Sequence, residues 1–164
     1  MRRRVFVIDD IPKFVSDSGT VYRANEIYKG TSTTTKYQNC IYMETFEAPN
    51  CAFASPFNTT SDMFSGCTNL KSIKMPLAQS FGHYVFSGLP NLEYLQIGSV
   101  GNPFTGGGYF RKSDSGYTIG SDVGLTIEIY VESYVDPGTL FTRGLAENTI
   151  AIVRSSVTGE IITE

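Results

Sequence analysis

At 164 residues the chain is of a size to bury one continuous core, so it reads as a single domain. With 41% hydrophobic but only 18% charged side chains, and with many Gly, Tyr and Phe, the composition is that of a globular, β-leaning, loop-rich protein. A net charge of −3 gives no general electrostatic attraction to nucleic acid or to an anionic membrane.

From the N-terminus, Arg2, Arg3 and Arg4 form a basic cluster that reads as a solvated tail. The apolar run behind it, Val5-Phe6-Val7-Ile8, stops at Asp9-Asp10, far short of the core of a signal peptide, and reads instead as a strand. No segment approaches the ~18 to 20 apolar residues of a membrane span. The expectation is a soluble chain without an export signal, cytoplasmic or assembled into a virion. Adjacent acids on a strand point to opposite faces, so Asp9-Asp10 is expected to be a solvated turn and not a metal pair. Ser16-Asp17-Ser18-Gly19 and residues 31–35 read as turn and loop, and residues 1–36 together as an N-terminal cap.

The next stretch repeats. Cys40-Ile41-Tyr42-Met43-Glu44-Thr45-Phe46-Glu47-Ala48-Pro49 aligns with Cys67-Thr68-Asn69-Leu70-Lys71-Ser72-Ile73-Lys74-Met75-Pro76, and again with Leu89-Pro90-Asn91-Leu92-Glu93-Tyr94-Leu95-Gln96-Ile97-Gly98. The copies start 27 and then 22 residues apart (40 to 67 to 89), and each follows an aromatic three residues upstream: Tyr37, Phe64 and Phe86. Apolar positions two apart share one side of an extended strand, which predicts core rows Met43/Leu70/Leu92, Phe46/Ile73/Leu95 and Ala48/Met75/Ile97. Ser-Gly after the second and third aromatics fits a tight turn, and Pro49 and Pro76 end their strands by removing a donor. One copy cannot bury such a face alone, so neighbouring copies must cover it, in a solenoid. Two of the three cysteines, Cys40 and Cys67, recur at one repeat position, as a small buried side chain would; Cys51 stands outside it, and no zinc spacing joins them.

Phe64-Ser65-Gly66-Cys67-Thr68-Asn69-Leu70-Lys71-Ser72-Ile73-Lys74-Met75-Pro76, with Tyr84-Val85-Phe86-Ser87-Gly88 and Asn91-Leu92-Glu93 after it, resembles the BspA-like (Treponema-type) leucine-rich repeat. The resemblance covers about residues 37–99. It implies a non-enzymatic protein of the kind found in bacterial surface adhesins and in phage tail-fibre tips. Only three copies are clear, and the first lacks Ser-Gly before its cysteine, so the resemblance implies a small tip or adaptor domain. The expected fold is mainly β: a short leucine-rich-repeat solenoid (37–99) between an N-terminal strand cap (1–36) and a C-terminal cap of strand, short helix and hairpin (100–164), all in one domain (1–164).

Beyond the repeats, residues 101–124 are glycine-rich and read as irregular. Leu125-Thr126-Ile127-Glu128-Ile129-Tyr130-Val131 alternates as a half-buried strand does. Asp136-Pro137 suits a helix cap and first position, predicting a helix from Pro137 to about Leu145. Residues 150–154 and 160–163 around Thr158-Gly159 predict a closing hairpin.

No catalytic constellation emerges. His83 lies between the repeat aromatics Phe81 and Phe86, and no cysteine has a base at a telling spacing. Gly106-Gly107-Gly108 lacks the Lys-Ser/Thr of a phosphate loop. Asn58-Thr59-Thr60 is a glycosylation sequon that means little without secretion. No enzyme activity, cofactor or metal is expected. The outward strand positions Thr45 and Glu47, Ser72 and Lys74, Tyr94 and Gln96 form a polar ladder, either a binding face or an ordinary wet sheet face. Glu47 beside Lys74 suits a cross-strand ion pair. Tyr109, Phe110, Arg111 and Lys112 on the glycine-rich loop are a second candidate, either a hot spot or a packed cap. The expected function is a recognition module for a protein or glycan, at a phage tail tip or cell surface. The alternative is an intracellular protein-binding inhibitor or adaptor, such as a phage protein that blocks a host defence enzyme. Nucleic acid and membrane insertion are not expected, and homo-oligomerisation stays open.

Overall fold

The structure is a computed structural model and describes residues 7–8, 11–15, 21–23, 25–27, 29, 31–33, 37–54, 63–78, 80–81, 85–86, 88–98, 121–141 and 145–164. Among them the strands are β1 (Val7–Ile8), β2 (Ile11–Val15), β3 (Val21–Arg23), β4 (Asn25–Ile27), β5 (Ser32–Thr33), β6 (Thr45–Glu47), β7 (Phe53–Ala54), β8 (Ser72–Met75), β9 (Ser80–Phe81), β10 (Tyr94–Gly98), β11 (Leu125–Val131) and β12 (Thr149–Ser155), with one short helix, α1 (Pro137–Leu140). The expectations for Arg2 to Arg4, Asp9-Asp10, Ser16 to Gly19, Asn58 to Thr60, His83 and residues 101–120, Tyr109 to Lys112 included, lie outside the described residues. Among the described residues no helix is long and apolar enough to cross a membrane.

The protein is mainly β. Strands β4, β6, β8, β10, β11 and β12 line up side by side in chain order as one parallel sheet, and β5, β7 and β9 form a second, three-stranded parallel sheet. Parallel neighbours need a crossover, and from β4 to β10 each crossover carries one strand of the smaller sheet. A third sheet, β1 to β3, is antiparallel.

The registers of the large sheet match the spacing of the sequence repeat. Phe46 pairs with Ile73 and Ile73 with Leu95, offsets of 27 and 22 residues, and the row runs on through Ile127 to Ala151. Met75, Ile97, Ile129 and Val153 form the next inward row. All but Ala151 are buried; each such side chain taken from water contributes roughly 1.5–3 kcal/mol. The upstream aromatics pack behind this face: Tyr37 and Phe64 approach Phe46 edge-on at 4.9 and 5.0 Å between ring centres.

Each copy enters its strand through the same turn. Met43, Leu70 and Leu92 donate their N–H to the carbonyls of Cys40, Cys67 and Leu89 at 3.0, 3.0 and 3.3 Å. The residue before each turn is left-handed: Gly66 at φ 78°, Gly88 at φ 69° and Asn39 at φ 60°. The missing Ser-Gly of the first copy is thus replaced by the non-glycine residue that best tolerates this region. Gly98, which stands in place of a proline, answers to space: a Cβ there would lie 2.8–2.9 Å from backbone atoms of Pro76, Leu77 and Ala78.

Four expectations need correction. The segment 31–35 is not wholly loop, because Ser32–Thr33 pairs with β7. Asn25–Ile27, read as cap without a strand, is the first strand of the large sheet. The helix stops at Leu140, well before Leu145: Asp136 caps it through Gly138 N–H at 2.9 Å, but Phe141 leaves helical geometry at φ −110°, ψ 65°. Finally, β11 and β12 continue the parallel sheet. The closing hairpin is reduced to a single antiparallel bridge, Arg154 to Ile161, supported by Ser155 N–H to Glu160 O at 2.8 Å and Ile162 N–H to Val153 O at 2.9 Å.

Candidate functional site

Alternation along each strand sends every second side chain to the face opposite the core. Two outward rows cross the large sheet: Thr45, Ser72, Tyr94, Thr126 and Ile150, then Glu47, Lys74, Gln96, Glu128 and Ile152. A third row adds Tyr130 and Arg154 beside Gly98. The six strand residues expected on this face are therefore brought together in two adjacent rows.

The rows divide into three zones. On β6 and β8, Lys74 Nζ lies 3.0 Å from Glu47 Oε1, an exposed pair of the kind worth ~0.2–1 kcal/mol, and Lys71 approaches Glu44 at 3.6 Å. On β10 to β12 the side chains interlock around Glu128. Its Oε2 accepts from the Tyr94 hydroxyl at 2.5 Å, the Tyr130 hydroxyl at 3.1 Å and Gln96 Nε2 at 3.3 Å, and its Oε1 accepts from Arg154 Nε at 2.7 Å. Gln96 Nε2 also reaches both tyrosine oxygens, at 2.6 and 3.2 Å. Arg154 is held from its other side by the Gly159 carbonyl at 2.9 Å. On β12 the face ends in apolar side chains, with Ile150 61% exposed.

Glu128 points away from the core and is still only 7% exposed, because its neighbours fold over it. Burial alone would raise its carboxyl; the hydrogen bonds from Tyr94, Arg154, Gln96 and Tyr130 outweigh that and hold it below the ordinary carboxylate range. Burial and the bond to Glu128 push the Tyr94 phenol up, and burial with the Glu128 charge does the same to Tyr130. At neutral pH the centre is an ionised carboxylate ringed by protonated phenols, one amide and one guanidinium. Its hydrogen bonds fix those side chains in place. Among the described residues Gln96 Oε1 and Arg154 Nη2 take no part in these bonds.

At the ends of β8, β10 and β11 lies an open recess of about 370 Å³ whose lining includes Leu77, Gly98, Tyr130 and Glu132. No group of three or more His, Cys, Asp or Glu side chains among the described residues could hold a metal ion.

Sequence reasoning missed Thr126, Glu128, Tyr130, Ile150 and Arg154. For β11 the signal was present, since its alternation gives Thr126, Glu128 and Tyr130 as outward; β12 reads as a strand, but its apolar run Ile150-Ala151-Ile152-Val153 does not say which side faces out. What was absent was any repeat match to tie them to the same sheet. No family model matches the sequence, and neither a curated protein nor a solved structure matches it.

Proposed function

We propose that the chain is a short leucine-rich-repeat solenoid of the BspA-like kind that acts as a recognition module, binding a protein or glycan partner through the outward face of its large sheet. The observation that carries this reading is the Glu128-centred lattice, a preorganised patch of phenol, amide and guanidinium groups flanked by an ion pair on one side and exposed isoleucine on the other. Preorganisation lowers the entropic cost of binding, and tyrosine and arginine are both enriched at the residues that anchor interfaces. The repeat reading rests on strand registers that follow the sequence spacing and on the left-handed turn shared by all three copies.

Surface substitution tests it. Ser72→Arg with Gln96→Arg places two long cations on the face, while Thr158→Arg places one on the exposed C-terminal turn. Against a glycan array and the proteins of a candidate host, the double variant is expected to lose bound partners at least tenfold and the turn variant to keep them, with unchanged circular dichroism in both. Equal binding by both variants would refute the face. Light scattering separates the settings: a stable trimer favours a virion or surface module, and a monomer favours a soluble inhibitor or adaptor.

A further inference from the structure

Cys40 and Cys67 occupy the same position in consecutive copies, and both are buried thiols outside any disulfide, at 7% and 0% exposure. Six residues further on, their strands pair Phe46 with Ile73, so the two turns stack at the spacing of adjacent strands, about 4.8 Å. Hydrogen bonds clamp that stack on both sides of the cysteines. Asn39 donates its N–H to Ser65 O at 2.7 Å, and Asn69 Nδ2 donates to Ile41 O at 2.6 Å. The Gly66 Cβ position would fall 3.2 Å from Asn39 Cα. A Cα separation near 4.8 Å lies inside the ~4.4–6.8 Å range that a disulfide spans.

We propose that Cys40 and Cys67 form a reversible disulfide across the first two copies when the protein meets a peroxide oxidant. Cys67, whose Sγ lies 2.8 Å from the Tyr37 carbonyl, makes the first attack. The Cys40 side chain and then the Cys40 backbone N–H hydrogen-bond it and lower its thiol below the ordinary range, against the opposing effect of burial. The Cys67 thiolate attacks one oxygen of hydrogen peroxide, breaking the O–O bond and leaving a sulfenic acid and hydroxide. The Cys40 sulfur then attacks the sulfenic sulfur; the S–O bond breaks, and the thiol proton leaves with the departing hydroxide as water. In total, two thiols and one peroxide give one disulfide and two waters.

Cys51 is an internal control. It too is a fully buried thiol outside any disulfide, but its N–H to Ala48 O turn has its counterpart in Ala78 N–H to Met75 O, so the next copy places alanine at its position. The test is peroxide treatment of the folded protein, then denaturation, alkylation and peptide mapping by mass spectrometry. The expected product is a monomeric chain lighter by about 2 Da, with Cys40 joined to Cys67 and only Cys51 alkylated. Dithiothreitol should restore three alkylatable thiols. The Cys51→Ser variant should give the same crosslink and Cys67→Ser none. Three alkylatable thiols after treatment, a link through Cys51, or a crosslink that scales with protein concentration would each overturn the proposal.

Discussion

A residue's backbone conformation can matter more than its side chain, and Asn39 is the clearest instance in this chain. It holds φ 60° where the later copies use glycine. Asn39→Gly should leave stability within about 0.5 kcal/mol of wild type, whereas Asn39→Val, β-branched in a left-handed position, should cost about 1–3 kcal/mol in urea unfolding. Gly98 fails for a different reason. Its conformation admits any residue, but the backbone of residues 76–78 fills the space a Cβ would take. Gly98→Ala is therefore an overpacking change, expected to lower the unfolding free energy by about 1–3 kcal/mol.

At the scale of the element, neighbouring copies are joined by more than strand pairing. Asn69 and Asn91 stand at one repeat position and donate to Ile41 O and Thr68 O, at 2.6 and 2.8 Å, so each copy fastens a carbonyl of the one before. Asn91→Ala should cost about 0.5–1.5 kcal/mol, measured by thermal unfolding. The far end of the sheet is joined by the Glu128 lattice, and that joint depends on pH. Because folding lowers the Glu128 carboxyl, its contribution is complete above the unfolded value of about 4.3 and disappears as pH falls through the lower folded value. The melting temperature should accordingly drop on acidification below about pH 4.3, and part of that drop should vanish in Glu128→Gln. The same variant should be less stable at neutral pH by about 1–3 kcal/mol, since Arg154 and both phenols lose a charged acceptor.

Taken as a whole, the large sheet has one continuous core face, with rows that cross copy boundaries. Phe46 sits where that face meets the aromatic layer of Tyr37 and Phe64 and is fully buried. Phe46→Ala should remove about 3–5 kcal/mol, visible as a lower urea midpoint, because neither ring can move into the vacated space without leaving its own contacts. The outer face behaves in the opposite way: it is polar in its middle and tied by side chains, with exposed Ile150 on β12. Its properties belong to no single strand.

Local chemistry was legible in the sequence, and long-range pairing was legible only where it repeated. Alternation of apolar residues marked β6, β8, β10 and β11 and the direction of the side chains on them, since a period of two leaves no other choice; β12, whose run Ile150-Ala151-Ile152-Val153 is apolar throughout, was legible as a strand but not in its facing. Asp136-Pro137 marked the start of α1 but not its length, because Phe141 ends it through its own conformation and four residues leave no pattern to read. The Cys40, Cys67 and Leu89 copies fixed their own register, and so Thr45, Glu47, Ser72, Lys74, Tyr94 and Gln96 fell on one face as the spacing required. Glu128 and Arg154 were beyond reach. The offset from Leu95 to Ile127 is 32 residues and from Ile127 to Ala151 is 24, neither repeating the earlier spacing, so only the folded chain decides that β11 and β12 extend the sheet and close the lattice over Glu128.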